Sequence, residues 1–132
     1  MEKKIDKILD KEALKAIFQK VGVSKGMTLI AHTAMSKFNY IVGGAQTYND
    51  ALIETLGYSG TLVMPMQCAE NSEPSYFENP PVAFDLLEDY RKAMPPFNKH
   101  LSETFMMGKA VENLRRREKA VISDHPNCAF VA

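Results

Sequence analysis

Gly43-Gly44 stand directly before a helical run, and Thr33, Ser36 and Lys37 precede them in a polar loop. These residue types can cradle an anion. The first N–H groups of a helix lack intrahelical partners, the peptide dipoles favour negative charge there, and glycine allows close backbone approach. A phosphate-bearing ligand suits that chemistry. The pattern is neither GxGxxG nor GxxxxGK[ST], so neither a dinucleotide fold nor a P-loop is indicated. A turn needing glycine for its geometry alone satisfies the same spacing.

His32, His100 and His125 are isolated. With no HxxxH or HExxH spacing and no cysteine pair, a metal site has little support. His32 ends an apolar run, at the strand edge where ligands gather in open α/β sheets; hydrogen bonding to the loop would also explain it. His125, before Pro126, reads as structural. Cys68 lies in a polar loop where no sequence neighbour would lower its thiol pKa. Glu70, Glu73, Glu78, Asp85, Glu88 and Asp89 fall between residues 69 and 90, with no lysine or arginine among them. At a cleft they would attract a polycation. The plainer reading is a solvated loop and helix start.

Several elements must position these groups. MTLIAH, residues 27–32, is a short apolar run expected of a strand covered on both faces. Ala45, Tyr48, Leu52, Thr55 and Leu56 recur at helical spacing up to Gly57, and GTLVMP, residues 60–65, returns as a strand. This is the pattern of a right-handed parallel βαβ crossover. Upstream, Asp10 caps a helix whose stripe is Leu14, Ile17, Phe18 and Val21, closed by Gly22. Downstream, residues 66–81 read as a polar loop. Pro81 then opens a helix with Leu86, Leu87, Tyr90 and Met94, stopped by Pro95-Pro96. A last helix spans about Met107 to Arg117, buries Ala110, Val111 and Leu114, and is followed by a short strand at 119–122. The final NCAFVA suggests a truncated chain or proteolysed fragment, the alternative being a terminal strand docked in a sheet.

The chain has 132 residues, 45% hydrophobic and 24% charged, as for one modest globular domain. Sixteen basic and 16 acidic residues leave no net field to draw in nucleic acid. No apolar run approaches the roughly 20 residues of a membrane span, so a cytoplasmic protein is expected. Cys68 and Cys128 are expected as free thiols.

Four stretches in order, HTAMSKFNYIVGGAQTYNDALIETLGYSGTLVMPMQ, ENSEPSYFENPPV, MPPFNKHLSETFMMGKAVENL and SDHPNCAFVA, resemble the aminoglycoside N3-acetyltransferases from Gly26 onward. The resemblance implies an α/β fold, with a parallel-rich or mixed sheet flanked by helices, incomplete relative to the full family fold. Residues 1–132 would then be the coenzyme A-binding N-terminal portion of a single acetyltransferase domain. It further implies acetyl transfer from acetyl-CoA to the 3-amino group of a 2-deoxystreptamine antibiotic, with a polyamine acceptor and no metal. The coenzyme contacts it implies are His32, Thr33, Ala34, Met35, Ser36, Lys37, Val42, Gly43, Gly44 and Ala45. Thr104, Met107 and Gly108 match the motif near the thiol end. Gln67, Glu70, Asn71, Ser72 and Glu73 would line the acceptor side. The family's catalytic histidine belongs to a carboxy-terminal half that nothing here matches. Thr33-Ala34 stand where many relatives have two serines. A non-catalytic phosphate-binding module, or a family acyltransferase with a non-antibiotic acceptor, remains an alternative.

Overall fold

A computed structural model of the chain describes residues 4–132; residues 1–3, part of the lysine-rich start, lie outside the described residues. In chain order the elements are β1 (Ile8–Leu9), α1 (Lys11–Lys20), β2 (Thr28–Ile30), β3 (Tyr40–Ile41), α2 (Gly44–Leu56), β4 (Thr61–Gln67), α3 (Leu87–Ala93), α4 (Gly108–Arg115) and β5 (Cys128–Val131). The crossover is as expected: β2 and β4 pair in parallel, Leu29 opposite Leu62 and Ile30 opposite Val63, with α2 between them in sequence. The sheet order is β2-β4-β5, and β5 runs antiparallel to β4. The fold is therefore mixed α/β. Among the described residues no helix is long and apolar enough to cross a membrane.

Several expectations need correction. Ile30 is 59% exposed, because Thr28 and Ile30 project from a face of β2 that no described element covers, while Leu29 on the other face is half-buried. In α1 only Leu14 and Phe18, four residues apart, are buried; Ile17 flanks that line at 38% exposure and Val21 is the exposed C-cap. β4 continues through Gln67, opposite Cys128, so the polar loop begins at Cys68. Within the final apolar residues, Cys128–Val131 dock as a strand beside β4. Residues 119–122 form no strand of their own; Ile122 makes a single bridge to Val131. Pro81 does not start α3. Ala83 is still extended (φ −60°, ψ 140°), and a 3-10 turn at Phe84–Leu86 leads into the helix. Proline fixes only its own φ and cannot impose helix on the residues after it.

Asp10 caps α1, its Oδ1 accepting from Ala13 N at 2.8 Å. The core is one cluster that includes Leu14, Tyr48, Leu52, Leu56, Met64, Met66, Val111, Leu114 and Val131. Phe18 meets Tyr48 edge-on at 5.5 Å, joining α1 to α2. Asn49 joins α2 to α4. It is fully buried, and its Nδ2 donates to Ala110 O at 2.8 Å and to Asn113 Oδ1 at 2.9 Å. Removing it leaves a buried carbonyl without its donor. Asn49→Ala is expected to cost about 1–3 kcal/mol in denaturant unfolding. Asn49→Asp is expected to cost more, because a carboxylate would face two oxygens.

Candidate functional site

A cavity of about 850 Å³ opens where two helices begin. Thr33, Ala34, Met35 and Ser36 line it from the loop after β2, Gly44 and Ala45 from the start of α2, and Gly108 and Lys109 from the start of α4. Neither helix has a side-chain cap or an acidic residue in its first turn, whereas α1 has both. The N–H groups at these two starts therefore have no competing side-chain acceptor. The turn into α2 needs its glycines: Gly43 and Gly44 have φ of 82° and 61°, and a Cβ on Gly43 would lie 2.3 Å from Thr47 Oγ1.

Seven of the residues implied as coenzyme contacts, Thr33, Ala34, Met35, Ser36, Gly44, Ala45 and Gly108, thus meet in one cavity. His32 and Met107 line an adjoining space of about 230 Å³ together with Thr33 and Ala34. Thr104, Met107 and Gly108 line a further one of about 530 Å³. Lys37, Val42 and Gly43 line none of these three spaces. Thr33 Oγ1 is hydrogen-bonded to Tyr48 Oη at 3.2 Å, which leaves Ser36 as the exposed hydroxyl. Thr104 Oγ1 donates to Glu112 Oε1 at 2.7 Å. Arg115, its side chain 9% exposed, pairs with Glu112 at 2.9 Å and donates to Ser102 O at 2.7 Å. This clamp fixes the 102–107 segment on α4.

Sequence reasoning missed the arm at Lys4–Lys7, which lines the first cavity together with Asn39 and Tyr40. It gets there through β1–β3, a parallel pair of two residues each. That is too short for any periodicity to betray. The lysine-rich start was its only trace.

Of the residues implied for the acceptor side, Glu70 lines two cavities, of about 420 and 520 Å³. Asn71 lines the smaller and Ser72 the larger. Gln67 and Glu73 line neither. Glu73 is instead paired with Arg91 at 2.6 Å, and that guanidinium holds its carboxyl down at about 2. The larger cavity has aromatic walls: Tyr76, Phe77 and Phe105, which the sequence did not single out, and Tyr90, expected only as a helix-face residue, with Glu78 beside them. Tyr90 Oη donates to Glu70 Oε2 at 3.2 Å. Such walls and carboxylates suit an organic ammonium. Cys68 is buried, and burial pushes its thiol pKa up, which disfavours the thiolate. His125 is structural as expected: its Nδ1 accepts from Cys128 N at 2.9 Å and Asn127 N at 3.3 Å.

A family model described as aminoglycoside 3-N-acetyltransferase matches residues 30–132. The chain belongs to that family. It is 36% identical over 123 residues to a prophage-derived aminoglycoside N(3')-acetyltransferase-like protein, YokD, of Bacillus subtilis (strain 168), covering 92% of this chain and 45% of that protein. The crystal structure of YokD superposes with a TM-score of 0.86, covering 92% of this chain and 49% of that one. The aminoglycoside N(3)-acetyltransferase VIII of Streptomyces fradiae is 39% identical over 115 residues, 85% of this chain and 38% of the enzyme. AAC-IIIb, solved as a binary complex with CoASH, shares the fold at a TM-score of 0.76 and 23% identity over 95% of this chain and 46% of that one. The chain thus spans less than half the length of these aminoglycoside acetyltransferase relatives.

The Glu73–Arg91 pair makes a pH prediction. A depressed carboxyl pKa gives an attraction fully present above the ordinary value of 4.5 and lost as pH falls through about 2. In a carboxyl NMR titration the Glu73 midpoint is expected near 2, returning toward 4.5 in Arg91→Ala.

Proposed function

We propose that this chain holds acetyl-coenzyme A for N-acetylation of the 3-amino group of a 2-deoxystreptamine aminoglycoside. The observation that carries this reading is the pair of uncapped helix starts, Gly44–Ala45 and Gly108–Lys109, on one cavity with the Ser36 hydroxyl. That arrangement suits a pyrophosphate. Acetyl-coenzyme A supplies the acetyl group as a thioester. The neutral acceptor amine attacks the thioester carbonyl, the C–N bond forms, the C–S bond breaks, and the amine proton passes to a general base. Glu70, Asn71 and Ser72, with the neighbouring aromatic side chains, would hold the remaining ammonium groups of the acceptor. A cytoplasmic location goes with this reading.

The chain's own histidines do not supply the base in this proposal. His125 Nδ1 is committed to backbone N–H groups, and no hydrogen bond or ion pair among the described residues joins a histidine to a carboxylate that could orient it. Residues 1–132 are therefore expected to bind the donor without turning it over. The test is calorimetric titration of the purified chain with coenzyme A, followed by a thiol-release assay with acetyl-coenzyme A and an aminoglycoside. Binding without thiol release is expected, and Ser36→Ala should weaken binding by about tenfold, the worth of one hydrogen bond to a charged acceptor. Thiol release dependent on the aminoglycoside would overturn the assignment of the base, and absence of binding would overturn the donor site.

A further inference from the structure

The cavity at the two helix starts has a wall outside the stretch that the family model matches. That match begins at residue 30, whereas Lys4, Ile5, Asp6 and Lys7 line the same space as Ser36, Gly44, Ala45 and Lys109. We propose that this arm is a phosphate clamp, in which the Lys4 and Lys7 ammonium groups hold the phosphates at the nucleotide end of coenzyme A. The proposal rests on the reading of this cavity as the donor site.

The root of the arm is fixed. Ile8 and Leu9 pair with Tyr40 and Ile41, Val42 N donates to Leu9 O at 2.9 Å, and Asp10 caps α1 immediately afterwards. Lys7 immediately precedes the anchored β1, and the side chains of Lys4 and Lys7 are exposed. The described ion pairs include neither of them, nor Lys109. Three lysines and one carboxylate, Asp6, line the cavity of a protein whose overall charge is zero. Such local excess repels itself and is relieved by a bound anion. The division of labour is chemical. Backbone N–H groups at a helix start suit the in-line oxygens of a pyrophosphate, and ammonium point charges on flexible stems suit a solvent-facing phosphate.

The test is titration of coenzyme A into the wild-type chain and the Lys4→Ala/Lys7→Ala variant at low and high salt. The variant is expected to bind about tenfold more weakly at low salt, as two exposed charge contacts would give. Its affinity should also depend less on salt than that of the wild type, because fewer charge contacts remain to be screened. Lys4→Arg/Lys7→Arg should restore affinity, and the melting temperature should be unchanged because both side chains are exposed. Unchanged affinity in the alanine variant would overturn the clamp, as would weakened affinity with wild-type salt dependence or a failure of arginine to rescue. Wild-type protein that binds no coenzyme A would overturn the donor-site reading and the clamp with it. Wild-type binding that the alanine variant leaves intact would overturn the clamp alone.

Discussion

The placement of the candidate site depends on Asn49. It is a polar side chain sealed between α2 and α4, and its amide N–H groups reach Ala110 O and Asn113 Oδ1. These bonds are directional, whereas the surrounding contacts of Leu52, Val111 and Leu114 are not. They set how far one helix can slide along the other. The two helix starts, Gly44 and Gly108, are thereby held on the same cavity. A second tie lies at the surface, where Arg117 pairs with Asp50 at 2.8 Å. On the opposite flank Phe18 against Tyr48 fixes α2 to α1, and Tyr48 carries the outcome to the loop through its hydrogen bond with Thr33.

From that fixed point the cavities follow one another around the beginning of α4. Thr33 and Ala34 are common to the first and second spaces, and Met106 and Met107 to the second and third. Leu101 and Glu103 are shared between the third and the cavity that Glu70 enters. The Glu112–Arg115 clamp holds the segment they wrap around. Under the proposed function, the donor's charged end would lie at the arm and its reactive end toward Glu70.

Much of this was legible in the sequence wherever the signal was local. The Asp10 cap, the buried face of α4, the glycine pair before α2 and the β2–α2–β4 crossover all follow from residues a few positions apart. What escaped was set by partners distant in sequence. β4 runs to Gln67 only because β5 lies beside it, and Ile30 is exposed because no described element covers its face of β2. Glu73 belonged to an acidic run by composition, yet Arg91, 18 residues on, neutralises it. The resemblance brought the loop and glycine contacts to one place, and most of those residues do meet there. The arm carried no motif, and the aromatic wall and Glu112 lay inside the family-like stretches with nothing to mark their roles, since each acts through a contact that only the folded chain creates.

The central claim is that the starts of α2 and α4 together bind the phosphate-bearing end of coenzyme A. Backbone amide shifts of the isotopically labelled chain, followed as coenzyme A is added, test it most directly. The account predicts the largest shifts at Ser36, Gly44, Ala45, Gly108 and Lys109, saturating together. Saturable shifts confined to other surfaces, or movement at only one of the two helix starts, would contradict it.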